Sequence, residues 1–273
     1  MRAVALSSLS GSTKAPTIAK KVLVSDRDRH LIALGCDGEF SIGTQDPLLI
    51  RFSDQESLTD WESLTTNTAG NLRISTGSEI ITGVKTKQQT VIFTDISVHV
   101  MQYIGPPFTF GINEVASGTS IMGQNAAVAV NDNVYWMGKE AFYVYNGTVQ
   151  QIPCPVLEYV FDDFNFDQKD KAFAGLNSAF GEIWWFYPSA DSDNIDRYVI
   201  YNYEQKIWYY GSLARTAWID RGINDYPIAA GTDGFLYLHE FGCCDGSTDP
   251  FTPIEAHIES SQIDIQDGNN YVF

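Results

Sequence analysis

An all-β fold, a β-propeller-like array of antiparallel four-stranded blades with one short helix, is what this sequence predicts, and three observations carry it. Short runs of aromatic and β-branched residues recur between polar turn clusters, the pattern of half-buried strands. The aromatic strand cores at Phe93, Trp136, Trp185 and Tyr237 are spaced by 43, 49 and 52 residues, close to the length of one propeller blade. Two units share a tyrosine-rich strand ending in Tyr-Asn, at Tyr143-Val144-Tyr145-Asn146 and Tyr198-Val199-Ile200-Tyr201-Asn202. A single blade cannot bury both faces alone, so blades stack and place aromatics between sheets. The competing fold is a β-sandwich, which the long regular period disfavours.

The elements follow in order. Residues 1–17, rich in Ser, Gly and Thr, read as a flexible N-terminal segment. Residues 20–24 and 30–34 form a hairpin across a charged turn, with Gly35-Cys36-Asp37-Gly38 as the next turn and 47–52 as a third strand. The Ser53 to Trp61 loop resembles an Asp-box turn without its central Gly. Strands are expected at 80–85, 90–93 and 98–103, and Pro106-Pro107 excludes a central strand there. Residues 126–130, 134–138, 141–145 and 148–152 make the next unit, whose last turn is Asn146-Gly147. Residues 155–163 give the one helix, with Pro155 at its first position and Val156, Tyr159 and Val160 on one face.

The most aromatic unit spans 181–211, with strands at 183–187, 197–203 and 207–210. Trp184 and Trp185 are adjacent on a strand and point to opposite faces, one toward each neighbouring blade. The residues expected to form the structural blade core are therefore Phe93, Trp136, Trp184, Trp185, Trp208 and Tyr237. A further unit uses 217–219, 227–230 and 235–240. The β-propeller-like domain is drawn over 18–253, followed by a C-terminal β-hairpin over 254–273, read as cut inside its second strand.

Composition narrows the function. The 273 residues carry 17 Lys+Arg against 34 Asp+Glu, a formal net charge of -17. Such a surface repels phosphate and anionic lipid, which disfavours grip on nucleic acid or membrane docking. No apolar run is long enough for a membrane span or a signal-peptide core. Cys36, Cys154, Cys243 and Cys244 lack C-x-x-C spacing and read as reduced, largely buried thiols.

Motifs for catalysis are missing: there is no G-x-S-x-G, P-loop, H-E-x-x-H or dinucleotide fingerprint. His30, His99 and His239 read as structural, and His257 with Glu259 supplies only two ligands of any metal site. The acidic groups Asp191, Asp193 and Asp196, and Asp162, Asp163, Asp167 and Asp170, lack the spacing of a calcium loop and read as solvated. The expectation is no enzyme, no cofactor and no metal.

Several segments carry a more specific likeness: Ile50-Arg51-Phe52-Ser53-Asp54 with Asp60-Trp61, Met101-Gln102-Tyr103-Ile104-Gly105-Pro106-Pro107, Val134-Tyr135-Trp136-Met137-Gly138, Trp184-Trp185-Phe186-Tyr187-Pro188-Ser189 and Ala214-Arg215-Thr216-Ala217-Trp218. With these the chain resembles tail structural proteins of short-tailed bacteriophages, the tail tubular, nozzle or head-to-tail DNA-stabilisation proteins. The resemblance implies a virion tail subunit, assembled as a hexameric ring with the portal, adaptor and other tail proteins, forming part of the DNA conduit. It also implies transient passage of the genome without specific binding, no membrane, and further sequence at both ends. An acidic wall avoids pairing with DNA phosphates and so suits such a conduit. The alternative is a propeller carbohydrate- or receptor-binding module of a phage particle, with Trp61, Trp136 and Trp208 stacking on sugar rings. A glycosidase-like propeller is a third reading, hinted at by the near Asp-box alone.

Overall fold

The computed structural model describes residues 4–25, 28–242, 263–264 and 271–272. The first sheet contains β1 (Lys21–Val24) and β2 (Leu31–Leu34), interrupted by the small hairpin β3 (Asp37–Gly38) and β4 (Ser41–Gln45), then β5 (Leu49–Phe52) and β6 (Gly70–Arg73). The second is β7 (Ile80–Lys85), β8 (Gln89–Thr94), β9 (Ser97–Gly105) and β10 (Thr109–Ser117). The third is β11 (Ala127–Val130), β12 (Asn133–Met137), β13 (Phe142–Tyr145) and β14 (Val149–Ile152). After helix α1 (Leu157–Asp162) and a 3-10 turn (Phe166–Lys171) come β15 (Phe173–Asn177), β16 (Glu182–Tyr187), β17 (Arg197–Asn202) and β18 (Ile207–Ser212). A fifth, three-stranded sheet holds β19 (Arg215–Ile219), β20 (Ile228–Gly231) and β21 (Leu236–Leu238).

Every sheet is an antiparallel meander, and the first strand of each touches the first strand of the next: β1 with β7, β7 with β11, β11 with β15, and β15 with β19. The first strands thus surround a common axis and the later strands run outward, which is a propeller-like arrangement. Between the second, third and fourth sheets lies the largest apolar core, containing Phe93, Trp136, Phe142, Trp185 and Tyr187. Ile32, Leu34, Ile50, Ile80 and Ile92 join the first sheet to the second, while Phe173, Trp184 and Phe186 pack toward the fifth with Trp218. Burying one such side chain stabilises the fold by about 1.5–3 kcal/mol.

Local chemistry sets the boundaries. Gly147, at φ +105, closes the turn between β13 and β14 in a conformation that disfavours side chains. Pro106 and Pro107 sit in the connection to β10, which is an outer strand, so no interior ladder lacks a donor. The helix begins only after Val156, and although Val160 is fully buried, Tyr159 is 45% exposed. Tyr159 therefore does not share the buried face expected of it.

Three further expectations differ from the structure. The segment 1–17, expected to be flexible, is pinned from residue 13 on: Thr13 bridges to Asp60, and Thr17 N–H and Oγ1 donate to Asp37 at 3.0 and 2.5 Å. Asp37–Gly38, read as a turn, pairs with Gln45 and Ser41. Strands β4, β6 and β10 were not expected. Of the C-terminal hairpin, Ile263 pairs with Val272 and Asp264 with Tyr271; Cys243, Cys244, His257 and Glu259 lie outside the described residues.

Candidate functional site

The meander brings the starts of all the first strands to one end of the axis, together with the loops between second and third strands. Lys20 immediately precedes β1 and Lys21 opens it; Lys169, Asp170 and Lys171 occupy the 3-10 turn before β15. Asp95, Lys139 and Asn194 come from the second-to-third-strand loops of three successive sheets. Two cavities open here. One of 590 Å³ is bordered by Lys21, Asn125, Lys171, Asn194, Thr216 and Trp218, the other, of 350 Å³, by Lys20, Glu79, Lys139 and Lys169. Gln124 and Asp170 border both, so they form one axial mouth.

Five lysines and three carboxylates face this mouth, in a chain whose net charge is -17. Lys20 Nζ pairs with Glu79 Oε2 at 2.8 Å. Lys21 Nζ donates to Thr82 Oγ1 at 2.7 Å, and burial pushes its ammonium below the usual lysine range. Lys171 Nζ donates to the Asp193 carbonyl. Asp95 is committed to its own turn, accepting from Ser78 N–H at 2.8 Å and Ser78 Oγ at 2.7 Å. Burial works to raise its pKa, but these bonds and that from Glu79 N–H outweigh it and hold the carboxyl below the usual range. Lys139 and Lys169 are exposed and make no ion pair among the described residues.

The residues expected in the blade core divide into two groups. Phe93, Trp136 and Trp185 are fully buried and Trp184 is 9% exposed, whereas Trp208 and Tyr237 are half-exposed. Phe93 meets Trp136 across the second and third sheets at 5.0 Å, and Phe142 meets Trp185 across the third and fourth at 4.8 Å. Trp indoles also tie the fourth sheet to the third and the fifth to the fourth. Trp185 Nε1 donates to Ala126 O at 3.1 Å, Trp208 Nε1 to Pro153 O at 2.9 Å, and Trp218 Nε1 to Leu176 O at 2.8 Å.

Tyr237 departs from this pattern. It lies on the third strand of its sheet, while Phe93, Trp136 and Trp185 all lie on second strands. Its ring packs beneath the Arg215 guanidinium at 4.1 Å, and its hydroxyl donates to Asp233. It is a surface residue of the fifth sheet, and the structurally equivalent positions on β20 are occupied by Ala229 and Ala230.

Other candidates are absorbed by local structure. Trp61 and Trp136 are 1% and 0% exposed, so neither can stack on a sugar. His99 lies 2.9 Å from Ser97 Oγ, but both are buried and Ser97 Oγ is already shared with Thr94 Oγ1 at 2.7 Å. His30 is buried with Nδ1 2.7 Å from Ser53 O. Asp196 accepts from Ser189 N–H and Oγ, and Asp163 pairs with Arg197 at 3.1 Å. The axial lysines escape sequence reasoning because they come from separate segments with no common spacing.

No protein-family model matches the sequence, and no curated protein matches it. Among solved structures, the chain is similar to Hsv2 of Kluyvelomyces marxianus, with 8% identity and a TM-score of 0.47 over 80% of this chain and 62% of that one. It is also similar to the extracellular domain of the one-component system BT4673 of B. thetaiotaomicron, with 9% identity and a TM-score of 0.42 over 84% of this chain and 28% of that one. The chain thus spans less than two thirds of either structure.

Proposed function

We propose that the chain is a structural, assembly-forming subunit of a bacteriophage tail, of the nozzle or head-to-tail joining type, built into a hexameric ring around the DNA path. The observation that carries the assembly reading is the fifth sheet. Its apolar side chains Ile219, Leu236 and Leu238, with Phe235 in the turn beside them, are 59%, 76%, 56% and 68% exposed, and β21 is its outer strand among the described residues. A cluster of large exposed apolar groups beside a strand edge marks an interaction surface. The place in a phage tail is supported by the sequence resemblance and by the net charge of -17, which suits transit of DNA without capture. The axis of the individual subunit, lined by lysines, is the wrong wall for that passage, so the conduit runs between subunits in this reading.

Light scattering followed by electron microscopy tests it. The expected result is a ring with a central hole, dissociated by Leu236→Lys with Leu238→Lys. A strictly monomeric protein at high concentration, with no affinity for other tail proteins, overturns it.

One observation favours a second reading, a glycan- or receptor-binding module. Tyr159 and Tyr210, 45% and 49% exposed, lie with ring centroids 4.3 Å apart near the Asp163 and Arg197 pair. Exposed aromatic faces beside charged hydrogen-bonding groups suit a saccharide ring. A glycan-array signal abolished by Tyr210→Ala in a monomeric protein selects this reading over the first.

A further inference from the structure

Lysine is concentrated at the axial mouth in a way the rest of the surface is not. Five of the 17 Lys+Arg residues of the chain border it, all five are lysines, and no arginine among the described residues borders either cavity. An ammonium is a compact point charge without the planar fork by which arginine binds carboxylate and phosphate bidentately, so it responds to the density of negative charge and not to its shape. A lysine-only cluster in a concavity suits dense, multiply charged tetrahedral oxyanions. Two of the three carboxylates present are engaged, Glu79 by Lys20 and Asp95 by Ser78; Lys139 and Lys169 make no ion pair among the described residues, so Asp170 is the one unengaged carboxylate set against five lysines. Side-chain amides of Gln124, Asn125 and Asn194 supply further donors on the same wall.

We propose that the axial mouth is a binding site for a small polyphosphate anion, held by Lys20, Lys21, Lys139, Lys169 and Lys171. Inorganic polyphosphate and the phosphate tail of a nucleoside triphosphate present the same chemistry. The lysines come from the start of the first sheet, a loop of the third and the turn that leads into the fourth, so a bound anion draws separate sheets toward one point. The half-buried ammonium of Lys21 gains most, because an anion beside it offsets the cost of keeping its charge away from water. The site belongs to the single subunit and does not depend on the assembly proposed above.

The test is calorimetric titration of the full chain with tripolyphosphate, ATP and sulfate at low and high salt. One tripolyphosphate is expected per chain, with a Kd below about 1 mM at low salt, weakened by added salt, and with sulfate much weaker. ATP binding as tightly as tripolyphosphate identifies the phosphates alone as the recognised group, and tighter ATP binding adds a contact to the base; both support the site. The double variant Lys139→Gln, Lys169→Gln removes two exposed lysines with no ion pair, and is expected to weaken binding by roughly tenfold or more with an unchanged melting temperature. A control with equal charge loss outside the mouth, Lys87→Gln with Arg221→Gln, is expected to bind as the parent does. No binding, equal weakening by the control pair, or competition as effective by an oligonucleotide without terminal phosphates overturns the proposal.

Discussion

The indole of Trp184 stacks on that of Trp218 with ring centroids 5.2 Å apart and 19° between planes, joining the fourth sheet to the fifth. Its neighbour Trp185 faces the other way, into the core shared with the third sheet. Gly175 on β15 makes the first contact achievable, since a Cβ there would lie 2.7 Å from Trp218 Cδ1. Trp184→Ala is expected to destabilise the chain by about 3–5 kcal/mol, and Gly175→Ala to displace Trp218. Limited proteolysis checks this directly: both variants should be cut earlier in 213–242 than elsewhere, whereas uniform sensitivity would deny the local coupling.

Arg51 is buried, and its guanidinium donates to three backbone carbonyls: Lys14 O at 2.6 Å, Trp61 O at 3.0 Å and Asp37 O at 3.3 Å. These bonds hold the N-terminal segment, β3 and the Trp61 loop to one side chain. Lysine cannot reproduce a planar fork aimed at three acceptors. Arg51→Lys is therefore expected to cost about 1–3 kcal/mol in urea denaturation, with early amide exchange at residues 13–18. An unchanged midpoint would show the three carbonyls to be satisfied without it.

Acid should destabilise the protein in two stages. Burial lowers the affinity of His239 for a proton and the nearby Arg215 lowers it further, to a pKa of about 4; Arg215 Nε donates to His239 Nε2 at 3.0 Å. Unfolded histidine titrates near 6.5, so the unfolded chain binds more protons as pH falls from about 6.5 to about 4, and stability drops over that window. Below it Asp37 takes over. Burial works to raise its pKa, but hydrogen bonds from Gly43, Thr17 and Ile18 outweigh it and leave the folded value low. Its stabilisation is complete above about pH 4 and is lost as pH falls through the folded value. Urea midpoints measured from pH 7 to pH 3 should fall throughout, with His239→Gln flattening the upper part only.

The described thiols should be inert. Burial pushes Cys36 up to about 12, with the adjacent Arg51 guanidinium opposing, and pushes Cys154 up to about 11. The thiolate is the reactive form, so iodoacetamide at pH 8 is expected to label neither in the folded protein, and both after unfolding. Peptide mapping by mass spectrometry reads the outcome, and rapid labelling of Cys36 in the native state would contradict its burial.

The sheet repeat was legible where strands are buried on both faces, because such strands read as aromatic runs. Phe93, Trp136 and Trp185 therefore register on equivalent second strands. The register slipped at Tyr237, since the equivalent strand β20 packs with Ala229 and Ala230 and carries no aromatic signal. Outer strands were missed for a related reason: Ser41–Gln45 is exposed throughout, and Gly70–Arg73 alternates half-buried and exposed residues without a large apolar side chain except Leu72. The axial mouth was illegible because its lysines converge only through topology.

Lys21 of β1 and Thr216, Ala217 and Trp218 of β19 border the same cavity, so the first and last sheets of the array meet across it. Whatever occupies that cavity touches both ends of the chain's sheet succession at once. Its occupant then acts as a clasp: filling the mouth should lock the circle of sheets, and emptying it should let the circle spring at the seam between the fifth sheet and the first.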